Sequence, residues 1–202
     1  LEPSCGKGVF LDSLSDNKFI HLSAYEIDKT LITNHKFVKY ESFISSPVNE
    51  TFDVVIGNPP YIRWKNLEVK LKEELQGSKL WNTYFNSLCD YLFIFILKSI
   101  EQLRDEGELI FICTDYWMNT THSQSLRDYM CDNGYFEEIY QFKEAPLFEK
   151  VTASFVIFRY RKSKEAVRSS IKLFKYNKRG VPTPSELRDL SCFDKSYIPQ
   201  FT

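Results

Sequence analysis

The chain has no long hydrophobic run, no paired cysteines and no excess of charge, and each absence removes a class of function. Its longest apolar stretch, Leu92 to Leu97 with Tyr91 before it, is far too short to span a bilayer, and no signal peptide heads the sequence. No membrane role is expected. Cys5, Cys89, Cys113, Cys131 and Cys192 are odd in number, scattered and without a C-x-x-C pair, which argues against a disulfide framework or a zinc site and for a reducing cytoplasm. With 26 basic against 27 acidic side chains the formal net charge is -1, so no global basic field points to nucleic acid as a partner. Internal repeats and low-complexity tracts are also missing. What is present, 202 residues of which 43% are hydrophobic, suits a single domain with a substantial core.

One stretch stands apart. Phe52 to Trp64 reads FDVVIGNPPYIRW. Val54, Val55 and Ile56 have the pattern of a strand buried on both faces in a parallel sheet, and Gly57-Asn58-Pro59-Pro60 stops it abruptly. Consecutive prolines fix φ at Pro59 and Pro60 and push the residues before them towards extended conformations. The Asn58 carboxamide and the Pro59 carbonyl are thereby held almost immobile at the strand's carboxyl end, where open α/β sheets bind ligands. These are two acceptors suited to the two hydrogens of an exocyclic amino group, with Tyr61 beside them as a stacking face. A Pro-Pro turn with a capping Asn and a packed Tyr is the competing reading of the same four residues.

Upstream, Leu1-Glu2-Pro3-Ser4-Cys5-Gly6-Lys7-Gly8-Val9-Phe10-Leu11 sets a G-x-G turn before a helix predicted over Val9 to Leu14, whose free N–H groups would face a ligand. The third glycine of a dinucleotide fingerprint is missing, so the turn alone is a weak signal. No room precedes it for the strand that should lead into it, and an amino-terminally incomplete domain is expected. A strand over Phe19 to Asp28 then ends in acids roughly 20 residues after the glycines, the spacing at which doubly wound folds place a carboxylate on ribose hydroxyls. Glu26 becomes the candidate ribose ligand, and Asp28 the N-cap of a helix over Lys29 to Asn34.

Further on, Phe37 to Tyr40 reads as a short strand, Lys65 to Gln76 as a charged solvent-facing helix and Trp81 to Leu103 as a long core helix. Glu108 to Cys113 reads as a strand, and Thr121 to Asn133 as a helix closed by Gly134. Strands over Tyr135 to Phe142 and Ala153 to Tyr160 are joined by a stretch too short for a parallel crossover, so the sheet should end in a reversed strand. From Arg159, the basic residues Arg159, Arg161, Lys162, Lys164, Arg168, Lys172, Lys175, Lys178 and Arg179 are opposed only by Glu165. The expected division is a catalytic domain over residues 1–163 and a basic linker, or the start of a target-recognition domain, over residues 164–202.

The glycine turn, the acid-tipped second strand, the Asn58-Pro59-Pro60-Tyr61 tip and the terminal hairpin together resemble the class I S-adenosylmethionine-dependent methyltransferase fold. This is an α/β, Rossmann-like architecture with a mostly parallel sheet and a reversed last strand. More narrowly, Leu1 to Leu11 is similar to the LEPxxGxGxFL motif, and Asn58 to Tyr61 to the (N/D)PP(Y/F) motif, of gamma-class adenine-specific (amino-group) DNA methyltransferases of bacterial restriction-modification systems. The resemblance runs from Leu1 to about Arg161. It implies that backbone around Pro3, Cys5, Gly6 and Gly8 cradles the methionine part of S-adenosylmethionine, that Glu26 binds its ribose and that Ile27 lies against its adenine. Glu2 and Asn58 join these cofactor contacts. Where the family commonly has an Asp after the third strand, this chain has Ser42 with Glu41 beside it. Asn58 and Pro59 would hold the amino group of a target adenine, Tyr61 would stack on the base, and Phe148 of Ala145-Pro146-Leu147-Phe148 would close on its other face. Pro60 and Phe95 would line the pocket, with Ile56 and Gly57 as its floor.

Under this reading the base leaves the duplex at a cost of a few kcal/mol, and stacking on Tyr61 and Phe148 returns about 1 to 3 kcal/mol per ring. The methyl group passes directly from the sulfonium to the amino nitrogen, favoured because two acceptors hold its hydrogens as the bond forms. Neither a metal nor a covalent enzyme intermediate is expected. The expected partners are double-stranded DNA and a cognate restriction endonuclease or a fused target-recognition domain. A protein-glutamine methyltransferase, an RNA adenine methyltransferase and a catalytically inactive DNA-binding or assembly subunit are the alternatives.

Overall fold

The computed structural model of the chain describes residues 1–15, 21–31, 33–47, 49–143, 145, 147–148, 153–164 and 170–201. Phe19, Ile20, Pro146, Glu165 and Arg168, each named above, lie outside them. After the glycine turn come helix α1 (Val9–Leu14) and the short strands β1 (Ala24–Tyr25) and β2 (Val38–Lys39), then β3 (Phe52–Gly57). Helices α2 (Val69–Gly77), α3 (Lys79–Tyr84) and α4 (Tyr91–Glu101) lead to β4 (Leu103–Thr114) and α5 (Gln124–Asn133). The remainder is β5 (Gly134–Phe142), β6 (Phe155–Lys162), β7 (Ser170–Tyr176), α6 (Pro184–Arg188) and β8 (Phe193–Pro199).

Six strands form one sheet in the order β3-β4-β6-β5-β7-β8, and β1 pairs with β2 in parallel. Leu1 and Glu2 stand between the two: Leu1 N donates to Val54 O at 2.9 Å, Ile56 N donates to Leu1 O at 3.0 Å, and Glu2 bridges Ala24 in parallel. Parallel neighbours therefore run from β2 through β1, Leu1–Glu2 and β3 to β4. This places the carboxyl ends of β1 and β3 side by side, where a doubly wound sheet forms its ligand crevice. The strand expected to be reversed is β6, but it does not close the sheet. It inserts between β4 and β5, antiparallel to both. β7 then adds parallel to β5, and β8 antiparallel to β7. The boundary expected at residue 163 thus falls between strands of one sheet. Tyr140 of β5 stacks on Phe174 of β7 at 4.6 Å, and both Phe142 and Tyr140 meet Phe193 of β8 edge-on.

Helix α4 is apolar from Tyr91 to Leu97, and all of Tyr91 to Ile100 is buried, Lys98 and Ser99 included, as in a helix enclosed by its own protein. The long helix expected over Trp81 to Leu103 is broken into α3 and α4, and Leu103 begins β4. Asn86 Oδ1 accepts from Leu88 N at 2.8 Å in a side-chain-capped turn, and Tyr91 N donates across to Ile62 O at 3.0 Å. Leu88, inside the expected core helix, is 64% exposed in that break. Strand β3 is also not buried throughout: Phe52, Val55 and Gly57 are, whereas Val54 is 40% exposed and Asp53 pairs with Arg104 at 2.8 Å. Lys29 to Asn34 forms turns and bends rather than a helix at its described residues, and Asp28 Oδ1 instead accepts from Thr30 N at 2.9 Å. Among the described residues no helix is long and apolar enough to cross a membrane.

Candidate active site

The glycine turn is held in place from three sides. Gly6 and Gly8 have φ of 54° and 85°, the left-handed region that side chains strain against, and a β-carbon at Gly8 would press within 3.3 Å of the His35 ring. Cys5 N donates to Tyr25 O at 2.9 Å, and Ser4 Oγ donates to the Asn58 carbonyl at 3.3 Å, so the turn is tied to the ends of both β1 and β3. From the end of β1, the buried Glu26 accepts from Gly6 N and from Asp28 N, each at 2.8 Å, one on each carboxylate oxygen. Each oxygen keeps a further lone pair for ligand hydroxyls.

A cavity of about 280 Å³ opens between these elements, lined by Pro3, Ser4, Gly6, Glu26, Ile27, Ser42, Asn58, Pro60 and Phe95, together with Glu41, Phe43, Ile62, Leu71 and Tyr91. Its charged lining groups are Glu26 and Glu41, so it suits a cationic ligand that also carries hydroxyls. Glu2 lies behind the turn, 3% exposed, with Oε2 unpartnered among the described residues, and burial pushes its carboxyl up to about 8. Cys5 does not line the cavity. It packs in a small cluster with Leu11, Ala24 and Val38, and burial pushes its thiol, like that of Cys113, up to about 12, so neither is poised as a nucleophile.

Several lining residues were not foreseen. Tyr91 lies one helical turn before Phe95 on α4, a spacing that signals a shared face, and the two rings meet edge-on at 5.1 Å. Helix α2, read as solvent-facing, buries Leu75 fully, sends Leu71 into the cavity and sends Glu74 to accept a hydrogen bond from Ser42 Oγ. The hydroxyl standing where an acidic contact was expected is thus already bound to a carboxylate, and it also accepts from Ile44 N at 3.2 Å.

Lys98, 4% exposed on α4, holds the loop behind this wall. Its Nζ donates to the carbonyls of Phe43, Ile44 (2.7 Å) and Ser46 and lies 5.0 Å from the Phe43 ring centre. Burial lowers its pKa from 10.5 to about 8. Lys98→Met strips three carbonyls of their donor, and we expect a loss of about 2 to 4 kcal/mol in urea unfolding at pH 7 with weakened cofactor binding. The sign of the pH effect follows from the lowered pKa. Between about 8 and 10.5 the unfolded chain holds a proton that the folded chain has released, so wild-type stability gains from this group as pH rises through that window. The methionine variant should lack that gain.

At the tip of β3, among the described residues, the buried Asn58 Oδ1 has no hydrogen-bond partner and the Pro59 carbonyl has no donor. Tyr61 follows, half-buried, its hydroxyl pKa raised by burial with the Asn58 side chain opposing. Its ring meets Phe155 at 5.7 Å and 70°, and Phe148 meets the same Phe155 ring at 5.0 Å and 69°. The two rings expected to sandwich a base therefore share one support, Phe155, which the strand pattern had hidden as an ordinary core position.

Residues 8–148 match the family described as the Eco57I restriction-modification methylase. Over 203 residues the chain is 45% identical to the Type II methyltransferase M.HincII of Haemophilus influenzae, covering 100% of this chain and 39% of that protein. A protein from Listeria monocytogenes described as a class I S-adenosylmethionine-dependent methyltransferase superposes with a TM-score of 0.65 at 18% identity, covering 95% of this chain and 59% of the other. The type IIG restriction endonuclease BpuSI does so with a TM-score of 0.71 at 17% identity, covering 98% and 27%. The architecture is that of the class I methyltransferases, and the chain spans about two fifths of the length of the curated relative that it matches.

Proposed function

The chain belongs to the Eco57I restriction-modification methylase family, and from that premise we propose that it is the catalytic core of a site-specific DNA methyltransferase acting in the bacterial cytoplasm. The reaction is transfer of a methyl group to the exocyclic amino nitrogen of an adenine turned out of the duplex. The observation that carries this reading is the buried, unpartnered Asn58 Oδ1 beside the Pro59 carbonyl, at a rigid strand end that opens on the cavity. A buried acceptor without a donor costs free energy unless a ligand supplies one, and an amino group has two hydrogens for two acceptors.

S-adenosylmethionine, when bound, supplies the electrophilic methyl group. The chain's residues do the rest. Glu26 holds ribose hydroxyls, the backbone of the Pro3–Gly8 turn cradles the amino-acid end, and Ile27 and Phe95 give the cavity its apolar walls. Asn58 and Pro59 accept the two amino hydrogens, which favours a pyramidal nitrogen with its lone pair free for attack. Tyr61 and Phe148 stack on the flipped base and replace the stacking lost in the duplex. The acidic lining agrees with a sulfonium-bearing cofactor. A cognate restriction endonuclease, or a target-recognition domain in the same polypeptide, is the partner this reading assigns.

The test is methyl transfer from labelled S-adenosylmethionine by the full-length protein to unmethylated bacterial DNA and to RNA, followed by nucleoside analysis. N6-methyladenine in DNA is the expected product. Label in N4-methylcytosine would move the reaction to another amino group, and label confined to RNA would move it to another nucleic acid. Cofactor binding with no label in either would favour a protein side-chain amide as acceptor.

A further inference from the structure

The parallel strands β3, β4, β5 and β7 all end on the edge of the sheet that carries Asn58, and the far end of that edge is basic. Lys143, just past β5, and Lys175, Lys178 and Arg179, at and beyond the end of β7, line an open cavity of about 290 Å³ with Asn177 and Asp194. Lys178 is held by Glu186 at 3.2 Å, and Asp194 accepts from Asn177 at 3.1 Å. Lys143, Lys175 and Arg179 are exposed and have no ion-pair partner among the described residues. Among the described residues, four cations thus stand against the two carboxylates of Asp194 and Glu186, in a chain whose net charge is -1.

This patch and the proposed base slot share a hairpin. Phe142 pairs with Phe155 across β5 and β6, and Phe155 carries both Tyr61 and Phe148. Four strand steps from β3 to β7, at about 4.8 Å each, set the patch about 19 Å along the edge from Asn58. A duplex strand offers a phosphate about every 3.4 Å, so that distance corresponds to five or six nucleotides, roughly, from a flipped base. We propose that Lys143, Lys175 and Arg179 bind the phosphate backbone of the target duplex five or six nucleotides, roughly, from the methylated nucleotide. The proposal rests on the DNA reading above and names the surface that reading needs. Three solvated cations at one place, without an ion-pair partner among the described residues, supply the local field that the overall charge does not, and contacts of this kind fix register without reading sequence.

The test compares full-length wild type with the triple variant Lys143→Ala, Lys175→Ala, Arg179→Ala on a short fluorescein-labelled duplex of mixed sequence, by anisotropy, over roughly 50 to 200 mM salt. Each lost phosphate contact removes about 0.9 from the slope of log affinity against log salt, so the slope should fall by about 2.7. Affinity for S-adenosylmethionine should not change, which shows that the variant is folded. A charge-conserving triple variant, Lys143→Arg, Lys175→Arg, Arg179→Lys, should keep the wild-type slope. An unchanged slope in the alanine variant, with wild-type DNA binding and methylation intact, overturns the patch and leaves the methylation reading standing. An unchanged slope with an altered oligomeric state would reassign the patch to a protein contact, which also overturns the proposal. A wild-type protein that neither binds nor methylates duplex DNA overturns both.

Discussion

Asn58→Ala is expected to lower kcat for methyl transfer by about a hundredfold to a thousandfold, the range seen when one preorganised polar contact to a transition state is removed. The size of the effect follows from when the contact matters. A planar amino group in the ground state is satisfied almost as well by water as by Asn58 Oδ1. A pyramidal nitrogen forming its fourth bond needs both hydrogens held in fixed directions, and only an interaction stronger in the transition state raises kcat. Because Oδ1 has no partner among the described residues, the fold loses only the Asn58 side chain's contact with the Tyr61 hydroxyl. Stability should stay within about 0.5 kcal/mol of wild type, and cofactor affinity should change by less than about threefold, since the turn and Glu26 remain. Asn58→Asp keeps an acceptor oxygen in the same place and should retain more activity than the alanine variant. Single-turnover rates with titrated cofactor separate these effects, and an alanine variant within about threefold of the wild-type rate would remove Asn58 from the chemistry.

What could be read from the sequence was whatever local rules dictate. Two prolines after a hydrophobic run immobilise Asn58 wherever the strand lies, and glycines at left-handed positions followed by an acid at the right distance place Glu26 beside the turn. The hydrogen bond from Gly6 N to Glu26 Oε2 is the direct link between those two motifs. Pairing between distant segments could not be read in this way. Nothing local says that β6 enters between β4 and β5, because hairpin geometry fixes β5 against β6 but not which neighbour lies on the other side. Nor does a run of apolar residues show that Tyr91 N must reach Ile62 O, and that long-range bond accompanies the break between α3 and α4. Ser42 was located by spacing, but its partner Glu74 comes from a helix whose charge pattern resembled a solvated insertion. The basic stretch after Arg159 concealed a strand for the opposite reason. Ile171 and Leu173 are buried while Lys172 between them is turned outward, an alternation of period two that the density of lysines outweighed.

Phe155→Ala should cost about 3 to 5 kcal/mol of stability, the usual loss for a fully buried phenylalanine, and it should damage catalysis beyond what that loss explains. Phe155 is 0% exposed, pairs with Thr114 of β4 and with Phe142 of β5, and presents its ring to both Tyr61 and Phe148. Those rings come from segments far apart in the sequence, one from the β3 tip and one from the loop before β6, and this shared contact sets the gap between them. Phe155→Leu separates packing from positioning. Leucine fills much of the same volume, so the stability loss should fall well below that of the alanine variant. It offers no ring, however, and two aromatic contacts worth about 0.5 to 1.5 kcal/mol each are lost. A base stacked between Tyr61 and Phe148 would then meet walls free to drift, and kcat/KM for DNA should fall by about tenfold while cofactor affinity holds. Urea midpoints at constant slope report the first effect, and steady-state kinetics on DNA report the second. A leucine variant with wild-type kcat/KM would mean that Tyr61 and Phe148 are positioned independently. The sandwich of the flipped base would then have to be assigned to other rings, of which Tyr116, stacked on Phe93 just beyond the end of β4, is the first to examine.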